Sequence, residues 1–156
     1  MAVKKPIVIT GGELERLQPG DQIQQAVLFD RTNANAGNLV IATPVYASAA
    51  GAVDKAQADA LATKNILGLV ADTVVTTNTA GAVQSDGIFD ATTGEWDTVT
   101  GDTGGLTVGS KYYLDPDTAG MLTETVPSTQ GDYVAMVGIA ISTTEMEISI
   151  RSTVKL

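Results

Sequence analysis

The chain has 156 residues, nine of them basic and 18 acidic, and no histidine, so its formal net charge is −9. Because it also lacks cysteine, it has no thiolate nucleophile, no Ser-His-Asp triad and none of the usual transition-metal ligands. No basic cluster is present to neutralise phosphates, and no apolar run is long enough to cross a membrane. We therefore expect no enzyme, no cofactor, and no nucleic-acid or membrane partner.

Short runs of β-branched residues, each bounded by turn-forming residues, predict many short strands. In the last run Met146 and Ile148 alternate with Glu147 and Ser149, as in a strand with one buried face. The runs span residues 6–10, 39–43, 66–75, 134–142 and 146–154. This pattern predicts a mainly β fold, a compact antiparallel β-sandwich or β-barrel-like domain with an extended N-terminal arm and at most one short helix.

Helix signals are weak by comparison. Residues 54–63 hold the best helix formers, but their apolar positions are nearly all alanine, so this stretch predicts either one short helix or an irregular loop. Residues 33–38 predict a polar loop tip, and Asp115-Pro116-Asp117 predicts a turn.

Residues 1–20 are predicted to form an N-terminal arm, and residues 21–156 a β-rich domain. Pro6 suits the first residue of an edge strand because it has no N–H, and the Gly11-Gly12 pair can act as a hinge. Such an arm can add as a strand to a sheet edge of a neighbouring subunit. An equally weighted alternative makes residues 6–10 an edge strand of their own domain. The candidate partner-binding residues are Lys4, Lys5, Ile7, Val8 and Ile9.

Two pairs of acidic residues, Asp97 with Asp102 and Asp115 with Asp117, are candidates for catalytic carboxylates. Nothing in their spacing places two carboxylates across a cleft, so turn-forming roles are favoured. The acidic loop at 115–120 lacks two ligands of a helix-loop-helix calcium site, because those positions hold Ala119 and Val126. A weak surface calcium site of another kind stays open.

The aromatic residues allow two interpretations, core or interface packing and a carbohydrate-binding face. Tyr112 and Tyr113 are adjacent in a predicted strand, so one should lie in the core and the other at the surface or an interface. Trp96 could anchor a subunit interface. The full set considered is Tyr46, Phe89, Trp96, Tyr112, Tyr113 and Tyr133.

A longer motif covers residues 105–123, with the pattern Gly-Leu-Thr-x-Gly-x-x-Tyr-Tyr-Leu-Asp-Pro followed by Ala-Gly-x-Leu-Thr. It continues with Tyr-Val-x-x-Val-Gly at 133–138 and ends near Ile148. This block resembles a module of tailed-bacteriophage structural proteins. Residues 66–72 and 17–23 are similar to the matching parts of phage capsid decoration, or cement, proteins and of some tail-fibre proteins.

The resemblance implies a virion structural protein without catalytic residues. Because no coiled-coil heptads or repetitive shaft precede the module, a capsid decoration protein is favoured. Such a protein would bind the major capsid protein on the outer surface of the virion as a homotrimer and stabilise the head by bridging subunits. The alternative is a tail-fibre, spike or baseplate component that contacts host surface glycans, and exposed clustered aromatics would favour it.

Overall fold

The structure, a computed structural model, describes residues 7–10, 13–16 and 27–156, the first two ranges by their backbone alone. These residues form fifteen strands and one short helix, which confirms the predicted mainly β fold. In chain order the elements are β1 (Ile7–Thr10), β2 (Glu13–Arg16), β3 (Val27–Asn33), β4 (Leu39–Val40), β5 (Pro44–Ala49), β6 (Ala52–Lys55), β7 (Ile66–Val70), β8 (Val74–Val75), β9 (Ala80–Asp90), α1 (Thr93–Thr100), β10 (Lys111–Leu114), β11 (Leu122–Thr123), β12 (Tyr133–Val134), β13 (Met136–Ala140), β14 (Glu145–Ile148) and β15 (Val154–Lys155).

Five strands close a barrel in the order β9, β3, β6, β5 and β7, and β7 returns to pair with β9. The β3–β6 pair is parallel and the other pairs in the barrel are antiparallel. Small branched side chains fill one core cluster, with Phe29 and Leu67 packed against it. Its buried members are Leu39, Val45, Val53, Val70, Val75 and Val83. A core of such residues is consistent with a composition that is rich in valine and poor in aromatics.

The eleven-residue strand β9 belongs to two parts of the molecule. Residues 80–84 and Asp86 pair within the barrel, whereas residues 87–90 pair with β14. Beyond β14 follow β13, β10 and β11, and we call these four strands the side sheet. At the junction, the buried Gln84 amide donates hydrogen bonds to the carbonyls of Asp86 (3.1 Å) and Ile88 (2.9 Å). The chain can therefore change partners here without leaving these two carbonyls unpaired.

The helix α1 begins with a capping box in which Thr92 and Glu95 bond each other's backbone N–H, and it ends at Gly101 with φ of +75°. Its buried face carries Trp96 and Val99. Residues 54–63, where a helix or a loop was predicted, contain the end of β6 followed by turns, so the loop alternative is the one the structure has. The single helix of the described residues is α1, and no helix was predicted for that part of the sequence.

Two of the predicted strand runs are divided by turns, and a third ends early. The run at 66–75 is broken between β7 and β8, where the Asp72 carboxylate accepts the Ala82 N–H (2.8 Å). The run at 39–43 turns at Ala42, which has φ of +65°. In the last run Met146 and Ile148 are buried and Glu147 is exposed, so the predicted alternation is confirmed, although β14 ends at Ile148.

Asn33 closes one end of the barrel and is not part of an exposed loop tip. It is fully buried, and its amide donates to the carbonyls of Gly37 (3.0 Å) and Val75 (2.9 Å). Its side-chain oxygen accepts the Asn35 N–H (2.8 Å). The prediction of a polar loop at 33–38 is therefore wrong at its first residue, because a buried amide here joins three segments.

We expect the isosteric substitution Asn33→Asp to lower the free energy of unfolding by about 2 kcal/mol, since two buried carbonyls would lose their donors and face a carboxylate. Chemical denaturation at pH 7 measures the change. Asn38→Asp adds the same charge at an exposed neighbouring position and should leave stability within about 0.5 kcal/mol of the parent. Equal effects of the two substitutions would contradict the structural role of Asn33.

Candidate interaction surface

The predicted partner-binding residues fall at the N-terminus. Ile7, Val8 and Ile9 lie in β1, which pairs antiparallel with β2 from Ile7 opposite Arg16 to Thr10 opposite Glu13. Lys4, Lys5, Pro6 and the Gly11-Gly12 hinge lie outside the described residues. Among the described strands, β1 and β2 form a two-stranded sheet of their own. The arm and its partner-binding residues stay a prediction.

The residues of the phage-like motif build the side sheet. Gly105 has φ of +82° and lies so close to the backbone of Thr143 that a Cβ would overlap the carbonyl oxygen. Tyr112 and Leu114 are buried on β10, and Gly138 lies opposite Tyr112 on β13. The motif positions therefore have roles in folding: a left-handed turn, two core side chains and a close approach of strands.

The Asp-Pro-Asp segment after β10 is a turn, as predicted. One carboxylate oxygen of Asp115 accepts the N–H groups of Asp117 and Thr118, both at 2.7 Å. The same loop contacts the chain after β6, because the Asp115 carbonyl accepts the Ala58 N–H (3.1 Å) and the Pro116 carbonyl accepts from the Gln57 amide (2.9 Å). The loop thus joins the side sheet to the chain that follows β6. Asp115, a candidate for catalysis or calcium binding in the sequence, has a structural role in this turn.

Acidic groups elsewhere bond the backbone in the same way. The Asp97 carboxylate accepts the N–H groups of Gly104 (3.1 Å) and Gly105 (2.7 Å), and so fixes the turn after α1. Within the part of the chain that the structure describes, no three acidic residues converge as ligands for a metal ion. Nor does that part contain a helix of the length and hydropathy needed to span a bilayer.

None of the seven aromatic side chains is exposed. Phe89, Trp96, Tyr112 and Tyr133 are buried, while Phe29, Tyr46 and Tyr113 are half-buried. Tyr112 and Tyr113 point to different environments, as their adjacency in a strand predicted. Trp96 packs edge-on against Phe89 (5.6 Å between ring centroids) and its Nε1–H donates to the Thr144 carbonyl (2.8 Å). These contacts make Trp96 a core residue.

A polar groove with a volume of about 470 Å³ lies beside the side sheet. The carboxylate of Glu124, which lines this groove, accepts a hydrogen bond from the buried Tyr112 hydroxyl (2.6 Å), and that hydroxyl accepts the Thr107 N–H (2.9 Å). Threonine hydroxyls and two carboxylates dominate its lining. The lining residues are Thr100, Asp102, Thr103, Gly105, Thr107, Thr123, Glu124 and Thr125.

Hydrogen bonds from the hydroxyls of Thr107, Tyr112 and Ser110 hold the pKa of Glu124 below its ordinary value of 4.5. Burial, followed by the bond to Glu124, raises the pKa of Tyr112 above 10.0. Glu124 is the more exposed partner, so solvent screening keeps its contribution to stability small. The hydrogen bond between Tyr112 and Glu124 is therefore intact at neutral pH. It weakens at low pH, where Glu124 is protonated, and is lost at high pH, where Tyr112 is ionised.

We expect Glu124 to contribute stability that is complete above pH 4.5 and is lost as the pH falls through its lowered folded-state pKa. Glu124→Gln keeps an acceptor for Tyr112 but does not titrate, so its stability should fall less steeply below pH 4.5. Denaturant titrations at several acidic pH values give the free energy of unfolding at each pH, and hence the slope of this free energy against pH. Val126→Ala, at an exposed position two residues away, changes no titrating group and is the control, so it should keep the parent slope. A Glu124→Gln slope equal to that of the parent would refute the assignment.

No protein-family model matches the chain, and no curated protein matches it. Among solved structures, the chain is similar to one described as "The capsid of Myoviridae Phage XM1", with 18% sequence identity and a TM-score of 0.44. The similarity covers 81% of this chain and 83% of that chain. At this level of agreement, the function proposed below rests on the residues of the chain itself.

Proposed function

We propose that this chain is a structural protein of a tailed-bacteriophage virion and that it decorates the outer surface of the capsid. In that role it binds the major capsid protein, bridges neighbouring subunits as a homotrimer and reinforces the shell against internal DNA pressure. The observation that carries the proposal is the motif block from residue 105 to residue 148, which resembles phage structural modules and builds the side sheet. No catalytic role is proposed for any residue.

The surface of the described residues supports a binding role through apolar contact. A net charge of −9 makes copies of the chain repel one another, so stable contacts need apolar area. Exposed apolar side chains occur on several elements and are available for such contacts. They are Val27, Leu28, Leu61, Val74, Val108, Val126, Ile141, Val154 and Leu156. Lys4, Lys5, Ile7, Val8 and Ile9 stay the predicted partner-binding residues of the arm.

The alternative of a glycan-binding tail component is not favoured by the aromatic side chains. Protein sites that recognise sugars commonly stack an exposed aromatic ring on the sugar, and all seven rings of this chain are buried or half-buried. The threonine-lined groove contains no aromatic side chain either. Glycan binding is therefore the alternative outcome of the binding experiment with phage particles.

Binding to purified phage particles tests the proposal. Because the chain has no cysteine, Asn38→Cys gives one exposed labelling site on a polar loop. We expect labelled protein to bind heads that lack surface proteins, to saturate in proportion to the number of capsid subunits, and to raise the temperature at which DNA is released. Label that binds tails, or binding that is abolished by host glycans, would overturn the proposal.

A further inference from the structure

The strand β3 has an open edge. It pairs with β6 only through Thr32 and Asn33, so among the described strands residues 27–31 have β9 on one side and no strand on the other. The N–H groups of Thr32 and Ala34 bond carbonyls on the β6 side. Since backbone groups of alternate residues point to the same side of a strand, those of Leu28 and Asp30 face the open edge.

This edge is exposed and apolar. Val27 and Leu28 are 47% and 52% exposed, which is high for residues inside a strand. The Arg31 guanidinium lies over the Phe29 ring (4.5 Å) and donates to the Asp30 carbonyl (2.7 Å). One of the edge carbonyls is therefore covered by a side chain, and the rest of the edge remains a template for another strand.

The hairpin of β1 and β2 has the complementary properties. A two-stranded hairpin is at best marginally stable in water, and β1 pairs with β2 alone among the described strands. Residues 1–16, which are the hairpin and the segment with Lys4 and Lys5 that precedes it, contain three basic and two acidic residues, a net charge of +1. Residues 17–156 contain six basic and 16 acidic residues, a net charge of −10, and the exposed Asp30 lies on β3 itself.

We propose that β1 of a second copy of this chain adds as a strand to the open edge of β3. Ten residues separate Arg16 from Val27, and they can span at most about 33–36 Å. A domain of this size has a radius of gyration of about 15 Å, so the hairpin can reach a neighbouring copy. Each copy donates one strand and accepts another. This head-to-tail contact forms a closed ring when the rotation between copies closes, as in a trimer.

Disulfide trapping between full-length chains tests the exchange without phage particles. One chain carries Leu28→Cys and a size tag, and the other carries a single cysteine at each position from 7 to 10 in turn. After oxidation we expect a disulfide between the two chains for alternate positions of β1 only, because alternate residues of a strand share a face. Val108→Cys, which replaces an apolar side chain that is 61% exposed, is the control for random collision and should give no such product.

Two results of this experiment would overturn the inference: no disulfide between chains at any of the four positions, or equal trapping by Val108→Cys. A further chain that carries both cysteines gives a third such result if its disulfide forms only within the chain. The last result would place the hairpin on its own body. Trp96 emission verifies that each variant is folded, since this residue is the only tryptophan and is buried. The inference does not depend on the proposed function, because purified protein is sufficient here and binding to heads is measured separately.

Discussion

Replacing Trp96 by alanine is expected to lower the free energy of unfolding by about 3–5 kcal/mol, a large part of the stability of a typical domain. The indole is fully buried and packs on Phe89 of β9, and its Nε1–H bonds the Thr144 carbonyl between β13 and β14. Its removal leaves a cavity between the helix, β9 and the turn that joins β13 to β14. Because the variant has no tryptophan, urea denaturation followed by circular dichroism is the measurement.

Two further substitutions separate the contributions of volume and hydrogen bonding. Trp96→Phe keeps an aromatic ring but loses the donor, and the Thr144 carbonyl still accepts the Ala91 N–H (3.0 Å), so we expect a loss of about 1–2 kcal/mol. Val108→Ala, on an exposed turn, should change stability by less than about 0.5 kcal/mol. If Trp96→Ala lowered the free energy of unfolding no more than Val108→Ala does, Trp96 would not belong to the core. It would then be the interface anchor that the sequence also allowed.

The helix that carries Trp96 was not predicted, and the reason is physical. Residues 93–100 contain three threonines and one glycine, which disfavour a helix intrinsically. The helix is held at its ends instead, by the Thr92–Glu95 capping box and by Asp97, which fixes the following turn. Thr-x-x-Glu spacing with a glycine after the last turn was a signal in the sequence that could have located it.

The strand β9 was missed for a related reason. Its sequence includes Gly81, Ala82 and Gly87, which are poor strand formers, yet it is the central strand of the molecule. Small residues are needed because other chain segments approach closely: a Cβ on Gly81 would overlap Val75. Tertiary contacts therefore determine that these residues form a strand, and an alternating pattern of apolar residues in the sequence does not reveal such contacts.

Some local features of the side sheet were predicted from the sequence, whereas the open edge of β3 was not. The opposite environments of Tyr112 and Tyr113 and the turn at Asp115 follow from strand geometry and turn chemistry, which are local properties. The open edge of β3 could not be predicted, because it results from where β6 begins beside β3, a property of the closed barrel. The exposed Val27 and Leu28 resemble ordinary strand residues until the missing neighbour is known.

Closure of the barrel itself is tested by Gly68→Ala. Gly68 lies on β7 where this strand meets β9, through Leu69 opposite Gln84 and Val70 opposite Val83. A Cβ at residue 68 would overlap the Gln84 carbonyl oxygen and lie 2.8 Å from the Val83 side chain. Because a backbone carbonyl cannot rotate away as a side chain can, β7 and β9 must separate. We expect a loss of about 3 kcal/mol, which lowers the melting temperature by about 6–12 °C.

Gly94→Ala is the matched control, since it adds the same methyl group in the first turn of α1, where no atom lies within 4 Å. That substitution should leave stability unchanged or raise it by up to about 1 kcal/mol, because alanine favours a helix. Thermal unfolding followed by circular dichroism compares the two variants. Hydrogen exchange should show faster exchange in Gly68→Ala at the amides that join β7 and β9, ahead of those in the side sheet. A Gly68→Ala protein that melts with the parent would mean that β7 and β9 are not in contact and that the barrel is open along this pair.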